Sequence, residues 1–125
     1  SDGGAHVDQL CDAGYTTYLL GKWVRERQAL SLEEGVRRLT SEVATFFGIP
    51  DRGVIAPGRV ADLVLFDPDT VDDVAPEYVH DLPGGGKRLV AQARGIHATL
   101  VNGQVLYRDG AHTGAWPGAL LRHRG

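Results

Sequence analysis

The sequence predicts an α+β chain in which helices come first and short strands follow. Up to residue 47, apolar residues recur at helical spacing, from Tyr15 to Val24 and again from Leu32 to Phe47. After Gly53 the spacing shortens to that of strands, and turn residues such as Asn102-Gly103 interrupt the chain. Segregation of helices from strands is typical of the α+β class.

Composition excludes several classes of protein. The chain has 125 residues, of which 42% are hydrophobic and 23% charged, as in a globular domain. A net charge of −3 disfavours a non-specific nucleic-acid binder. No apolar run approaches the roughly 20 residues of a membrane-spanning helix. The single cysteine, Cys11, excludes an internal disulfide and favours a cytoplasmic location.

The helical half predicts a broad apolar surface and defined helix ends. The apolar face is wide enough to need cover on more than one side and contains Tyr15, Tyr18, Leu19, Leu20, Trp23 and Val24. Ser31 and Glu34 form a capping box, in which the Ser31 oxygen accepts from the Glu34 N–H and the Glu34 carboxylate reaches back. One helix or two divided at Thr40-Ser41 both fit the pattern, and Gly48 is suited to a left-handed C-cap.

The second half predicts short strands between glycine turns. Ala56-Pro57-Gly58-Arg59 suits a type II turn and leads into a strand over 63–66. Asn102-Gly103 predicts a hairpin between strands at 96–101 and 104–108. Residues 67–93 have weak periodicity, and we expect them to wrap around another part of the protein without regular structure.

Few residues in the sequence have the types and the spacing of a catalytic or metal-binding motif. Gly84-Gly85-Gly86-Lys87 lacks the spacing of a phosphate-binding loop and is interpreted as a flexible turn. No two histidines have the local spacing of a metal-ligand pair; they are His6, His80, His97, His112 and His123. Asp2, followed by two glycines and His6, has the pattern of a strand end that opens into a tight active-site loop. These two residues are the candidate site.

Several motifs together carry a resemblance to a known family. They are Ser1-Asp2-Gly3-Gly4-Ala5-His6, residues 51–58 leading into 61–67, residues 93–103, and the pairs Asp109-Gly110, Thr113-Gly114 and Pro117-Gly118. In these motifs the chain resembles the C-terminal end of an amidohydrolase, and most closely the N-acyl-D-amino-acid deacylases (D-aminoacylase-like). The motifs are specific for the superfamily and less so for any substrate.

The resemblance implies a fold and a cofactor. Family members combine a (β/α)8 barrel with a small β-sandwich assembled from both chain ends, and they depend on a metal, here expected to be zinc. Residues 1–50 correspond to the end of the barrel, with the strand-8 loop and terminal helices. Residues 51–125 correspond to the C-terminal part of the composite β-sandwich. The implied reaction removes the acyl group from an N-acyl-D-amino acid.

The resemblance also implies roles for the two candidate residues. Asp2 corresponds to the aspartate at the end of the last barrel strand, where it takes a proton from a zinc-activated water and returns it to the departing amine. Asp2 is also a candidate metal ligand in the full-length enzyme. For His6, a substrate contact and a hydrogen bond that braces the loop are both open. The family's remaining metal ligands have no counterpart here, so the chain is expected to be a catalytically inactive C-terminal fragment.

The sequence leaves two alternative functions open and predicts one assembly state. A sibling amidohydrolase, either a cyclic amidase or a deaminase, is the nearest alternative enzyme. A non-catalytic β-rich binding or assembly module over 53–125 is the alternative from another class. Because the apolar helical face would lack its partners, we expect the isolated chain to form a homo-oligomer, with a dimer favoured. No nucleic-acid or membrane partner is expected.

Overall fold

The computed structural model describes residues 11–122, so Asp2 and His6 lie outside the described residues. Within this range the chain forms two units that alternate along the sequence. The first unit contains residues 11–39 and 67–95, and the second contains residues 40–66 and 96–122. The division at residue 50 refers to the domains of a larger enzyme and stays a prediction.

Helices precede strands along the described residues, which confirms the α+β class. In chain order the elements are α1 (Tyr15–Tyr18), a π-helix (Leu19–Glu26), α2 (Leu32–Leu39), α3 (Ser41–Phe46), β1 (Leu63–Phe66), β2 (Asp72–Asp73), β3 (Glu77–Leu82), a 3-10 turn (Pro83–Gly85), β4 (Gly86–Val90), β5 (Ala93–Arg94), β6 (Ile96–Val101), β7 (Gln104–Arg108) and β8 (Ala111–His112). None of the helices in this part of the chain has both the length and the apolar character needed to cross a membrane.

In the first unit, α1 continues directly into the π-helix. The hydrogen bonds of the π-helix join residues that are five positions apart, as in the 3.0 Å bond from the Arg27 N–H to the Lys22 carbonyl. A π-helix of eight residues is unusual, because most are single-turn insertions in α-helices. The apolar spacing predicts helix here, and it does not distinguish the π form from the α form.

The π-helix lies directly against the segment around β2. Gly21 is buried, and a Cβ atom there would collide with the Asp72 carboxylate. Four residues later, Arg25 donates to that carboxylate at 2.8 Å and also to the Val71 carbonyl. Val71 is only 1% exposed, the lowest exposure among the buried apolar residues. A small residue and a cation on one face of the helix therefore hold this segment in place.

The capping box at the start of α2 is confirmed in one half only. The Glu34 N–H donates to the Ser31 hydroxyl at 3.2 Å, as predicted. The expected return contact of the Glu34 carboxylate is wrong, because this carboxylate instead accepts from Arg37 and Arg38, each at 2.8 Å. Two guanidinium groups, three and four residues ahead, outcompete one backbone N–H. Hydrogen bonds from Arg37 and Arg38 lower the pKa of Glu34 to about 2.

Residues 67–93 are more regular than the sequence predicts. β3 and β4 form an antiparallel hairpin, and β2 pairs with β5. The hairpin turns at Gly84 and Gly85, whose φ angles are 72° and 73°, which confirms the predicted glycine turn. The expectation of an irregular segment is therefore wrong. Side chains on both faces of β3 are largely exposed, so its sequence lacks the regular alternation of apolar and polar residues that predicts a strand.

The second unit contains α3, which is separate from α2 and is followed by the C-cap Phe47 and then Gly48. The Ile49 N–H donates to the Ala44 carbonyl at 2.8 Å, and the Gly48 N–H donates to the Thr45 carbonyl at 3.1 Å. These two bonds form a Schellman motif, which requires a left-handed residue after the C-cap. Gly48 has a φ of 65°, which confirms the predicted C-cap.

The remainder of the second unit is an antiparallel sheet in the order β1-β6-β7-β8. Asn102 and Gly103 have φ angles of 49° and 76° and join β6 to β7, which confirms the predicted hairpin. Before β1, the Arg59 N–H donates to the Ala56 carbonyl at 3.1 Å, closing the predicted type II turn. Large apolar side chains of this unit stay exposed, including Phe46 at 82%.

Asp62 connects the loop before β1 to the β6–β7 turn. One carboxylate oxygen accepts from the Asn102 N–H at 2.8 Å, and the other accepts from Arg52 at 2.7 Å. Beside it, the Gly103 N–H donates to the Ala61 carbonyl at 2.9 Å. The Asn102 N–H and then the Arg52 guanidinium lower the pKa of Asp62 below its usual value.

The first prediction concerns Gly95, which has a φ of 71° and lies against Val71. A Cβ atom at Gly95 would lie 2.7 Å from the Val71 Cα, a backbone atom that cannot move alone. We expect Gly95→Ala to lower the free energy of unfolding by about 3 kcal/mol, measured by urea denaturation. Gly110→Ala is the control, since Gly110 has a φ of 81° and open space around it. An equal loss in both variants would contradict the steric argument.

The second prediction concerns the Asp62 carboxylate. Because its pKa is lowered on folding, its stabilisation is complete above the unfolded pKa of about 4 and is lost as the pH falls through the folded pKa. We expect Asp62→Ala to lower the free energy of unfolding by about 1 to 2 kcal/mol at pH 7 and by much less at pH 3. Asp69→Ala removes an exposed carboxylate and serves as the control. The same loss at both pH values would exclude the ionic contact as its cause.

Candidate functional site

The two residues predicted to form the active site are not among those that the structure describes. Asp2 and His6 both precede residue 11, so their roles stay predictions. Across residues 11–122 no group of three or more His, Cys, Asp and Glu side chains could hold a metal ion. Zinc sites in enzymes usually use three protein ligands. The described residues therefore do not fit a zinc site, and no catalytic step through a metal can be assigned to them.

A cleft in the first unit is the candidate binding site within the described residues. It has a volume of about 750 Å³, within the range of small-molecule pockets. We call it the tyrosine cleft, and it is lined by Cys11, Asp12, Gly14, Tyr15, Tyr18, Asp73, Val74, Pro76 and Ala91. It combines the start of the helical segment with the last residue of β2, residues that follow β2, and Ala91 before β5.

The shape of the tyrosine cleft follows from local structure on both sides. On one side, Gly14 lies so close to Asp73 that a Cβ atom there would be 3.2 Å from the Asp73 Cβ. The side chain of Thr17 is turned inward and donates to the Gly14 carbonyl at 3.0 Å. Its neighbour Tyr18 stays 44% exposed and Tyr15 54% exposed, so both rings are available to a ligand.

Among residues 11–122, the charged side chains that line the tyrosine cleft are those of Asp12 and Asp73, and no lysine or arginine of this range lines it. Among residues 11–122 neither carboxylate has a hydrogen-bond or ion-pair partner. Asp72, next to Asp73, differs because Arg25 pairs with it at 2.8 Å and Arg94 at 3.4 Å. As far as residues 11–122 are concerned, the cleft therefore presents two carboxylates without a compensating cation, beside two aromatic rings.

The lining of the tyrosine cleft suits binding rather than catalysis. Cys11 is a free, half-buried thiol. Within the part of the chain that the structure describes, no histidine, lysine or arginine lines the cleft to generate a thiolate. The sequence did not single out Tyr15, Tyr18 or Asp73 as binding residues, because the two tyrosines count there as a helical apolar face.

A second region of interest lies on one face of the sheet in the second unit. Val64, Thr99, Tyr107 and His112 are successive cross-strand partners and so share this face. The Gly114 N–H donates to His112 Nδ1 at 2.9 Å, which assigns the proton to Nε2. His112 Nε2 and Thr99 Oγ1 are buried and have no partner among the described residues. The face therefore carries two polar atoms that a covering element could satisfy.

The motifs that carry the family resemblance are structural in the described residues. Asp62 of one motif accepts the hydrogen bond from Asn102 of another. The hydrogen bonds between Ala61-Asp62 and Asn102-Gly103 join the loop before β1 to the β6–β7 turn. They hold the sheet together and do not form a catalytic site. These motifs identify a fold, and they leave the choice of substrate to other residues.

Comparison with known proteins gives consistent matches. The sequence profile of the Amidohydrolase family matches residues 1–107. N-acyl-D-aspartate deacylase of Alcaligenes xylosoxydans xylosoxydans is 39% identical over 109 residues, which are 86% of this chain and 20% of the relative. The crystal structure of D-aminoacylase superposes with a TM-score of 0.67 at 36% identity, covering 82% of this chain and 20% of that one.

A further solved structure comes from a complex. N-acyl-D-glutamate deacylase from Bordetella bronchiseptica, crystallised with zinc and a phosphonate mimic of the tetrahedral intermediate, matches with a TM-score of 0.60 at 39% identity. The match covers 78% of this chain and 19% of that chain. The chain thus spans about a fifth of the length of these relatives. With the family profile matched over residues 1–107, the chain belongs to the amidohydrolase family.

Proposed function

We propose that this chain is the C-terminal part of a zinc-dependent hydrolase that removes the acyl group from N-acyl-D-amino acids. The observation that supports this most is that D-aminoacylase and N-acyl-D-glutamate deacylase share both fold and sequence with it, at 36% and 39% identity. The isolated chain would be inactive, because residues 11–122 do not supply a zinc site. The metal ligands would lie in the rest of the enzyme.

Asp2 is the residue proposed to move protons in this reaction. Its carboxylate would accept a proton from the attacking water as the oxygen bonds to the acyl carbon. It would then return that proton to the nitrogen as the carbon–nitrogen bond breaks, which releases a carboxylic acid and an amine. The family profile includes residue 2, which supports this assignment. His6 would contact the substrate or brace the same loop.

The proposed enzyme also has a domain arrangement and a location. Residues 1–50 would end the barrel, and residues 51–125 would form part of a composite β-sandwich. The open antiparallel sheet and the exposed Ile55 and Trp116, at 89% and 84%, support a missing cover. The same exposed side chains support self-association of the isolated chain. The single cysteine supports a cytoplasmic location.

The third prediction tests the role of Asp2 in the intact enzyme. We expect Asp2→Asn to lower kcat for an N-acyl-D-amino acid by several orders of magnitude, because the amide cannot accept the proton. Bound zinc, measured by elemental analysis, should stay near the wild-type content. The control is Asp69→Asn, an exposed carboxylate in a turn, which should keep wild-type kcat. Full activity in Asp2→Asn would remove the proposed role.

The fourth prediction concerns metal binding by the 125-residue chain alone. Because its described residues lack a cluster of metal ligands, we expect less than one zinc per chain after dialysis. Elemental analysis of the dialysed protein measures this directly. One tightly held zinc per chain would show that the dispersed histidines form a site after all.

A further inference from the structure

The β6–β7 turn contains a pair of residues that can react with each other. Asn102 is the single asparagine of the sequence, and Gly103 follows it. Because glycine has no Cβ, its amide nitrogen is sterically free to attack the side chain of the preceding asparagine. We propose that Asn102 is a site of spontaneous deamidation, which the folded turn suppresses and which opening of the turn releases.

The reaction needs only the two residues of the turn and water. The Gly103 nitrogen loses its proton and bonds to Asn102 Cγ, while the bond from Cγ to Nδ2 breaks. Ammonia leaves with that proton, and a cyclic succinimide remains. Water then opens the ring at either of its carbonyl groups. The product at position 102 is aspartate or isoaspartate.

The fold restrains the nitrogen that would attack. The Gly103 N–H donates to the Ala61 carbonyl at 2.9 Å, beside the 2.8 Å bond from the Asn102 N–H to the Asp62 carboxylate. An amide proton held in such a bond reaches solvent only when the bond opens. Asp62 is itself held by Arg52 at 2.7 Å. These contacts keep the Gly103 nitrogen protonated and fixed in place.

The fold also restrains the side chain that would be attacked. Asn102 Nδ2 donates to the Pro117 carbonyl at 2.6 Å, which fixes the direction of the side-chain amide. Closure of the succinimide ring needs freedom of this side chain and of the backbone between the two residues. The backbone is fixed as well, because Val101 pairs with Gln104 across the turn. Both reacting groups are therefore held by contacts of the folded chain.

Burial does not protect the turn. Asn102 and Gly103 are both exposed, so water and base reach them in the folded protein. Protection therefore comes from the hydrogen bonds alone. The rate of deamidation accordingly depends on how often these bonds open.

Deamidation would prevent the turn from closing as before. The carboxylate that replaces the Asn102 amide has no N–H to donate, so the Pro117 carbonyl loses its donor. It also adds negative charge to the residue whose N–H contacts the Asp62 carboxylate. Isoaspartate further lengthens the backbone of the turn by one carbon atom. The modified turn is thus less stable than the original one.

The experiment uses the intact enzyme that contains this chain and follows the mass of one tryptic peptide. Trypsin cuts after Arg94 and Arg108, so the peptide over residues 95–108 contains Asn102. Deamidation raises its mass by a single unit, and fragment ions separate Asn102 from Gln104. The enzyme is incubated at mildly alkaline pH, either folded or unfolded in urea, and a sample digested before incubation gives the background.

We expect deamidation of Asn102 to be at least tenfold slower in the folded enzyme than in urea, because the bonds of the turn must open first. Equal rates would overturn the proposal, since the fold would then give no protection. Absence of deamidation in urea would also overturn it, because Asn102 would then not be a reactive site.

Asp62→Ala tests the contacts that close the turn. We expect this variant to deamidate at least fivefold faster than the wild type when folded and at the wild-type rate in urea. Asp69→Ala removes an exposed carboxylate outside the turn and should keep the wild-type rate in both states. Circular dichroism verifies folding, and Asp62→Asn replaces Asp62→Ala if that variant is unfolded. A wild-type rate in the folded variant would overturn the protective role of Asp62.

Asn102→Asp tests the effect of the modification on the fold. We expect it to lower the midpoint of urea unfolding, because the bond to the Pro117 carbonyl is lost. Gln104→Glu makes the same change from amide to carboxylate at an exposed position of the same hairpin and should lower the midpoint less. An equal effect of both substitutions would contradict the role assigned to the Asn102 amide.

Discussion

The ion pair between Arg25 and Asp72 fixes the two sides of the tyrosine cleft relative to each other. Arg25 comes from the π-helix, and Asp72 begins β2, immediately before the cleft residue Asp73. Both side chains are mostly shielded, at 28% and 15% exposure, so the contact is stronger than a surface pair. Gly21 allows the close approach because any larger residue would occupy the space of the carboxylate. The spacing of Gly21 and Arg25 on one helical face is thus the constraint on which the cleft depends.

Local features of the sequence predicted the parts of the fold that have local causes. Gly48, Gly58 and Asn102-Gly103 adopt positive φ angles where a cap or a turn demands them. The β3–β4 hairpin was missed because apolar and polar residues do not alternate regularly along β3, whose side chains are largely exposed on both faces. The tyrosine cleft was missed because it joins residues near 15 to residues near 75 and 90, which only the folded chain brings together. Asp2 and His6 stay predictions.

The contact between Asp62 and Asn102 explains why the family motifs identify a superfamily and say little about substrate. In this chain the Asp62 carboxylate holds a turn of the sheet, a structural role that does not depend on the substrate. Two relatives that are each 39% identical to this chain are accordingly named for different substrates, N-acyl-D-aspartate and N-acyl-D-glutamate.

The β3–β4 hairpin is closed at its base, so a change in the length of the hairpin would not alter the rest of the first unit. The β2–β5 pair and the 3.0 Å bond from the Val74 N–H to the Gln92 carbonyl join the two segments of the chain that lead into and out of the hairpin. Beyond this base, added residues at the exposed Gly84-Gly85 tip would cost little entropy, because closure of a loop depends weakly on its length. The tip is accordingly the point at which natural insertions, an affinity tag or a fluorophore would be tolerated without disturbance of the unit that carries it.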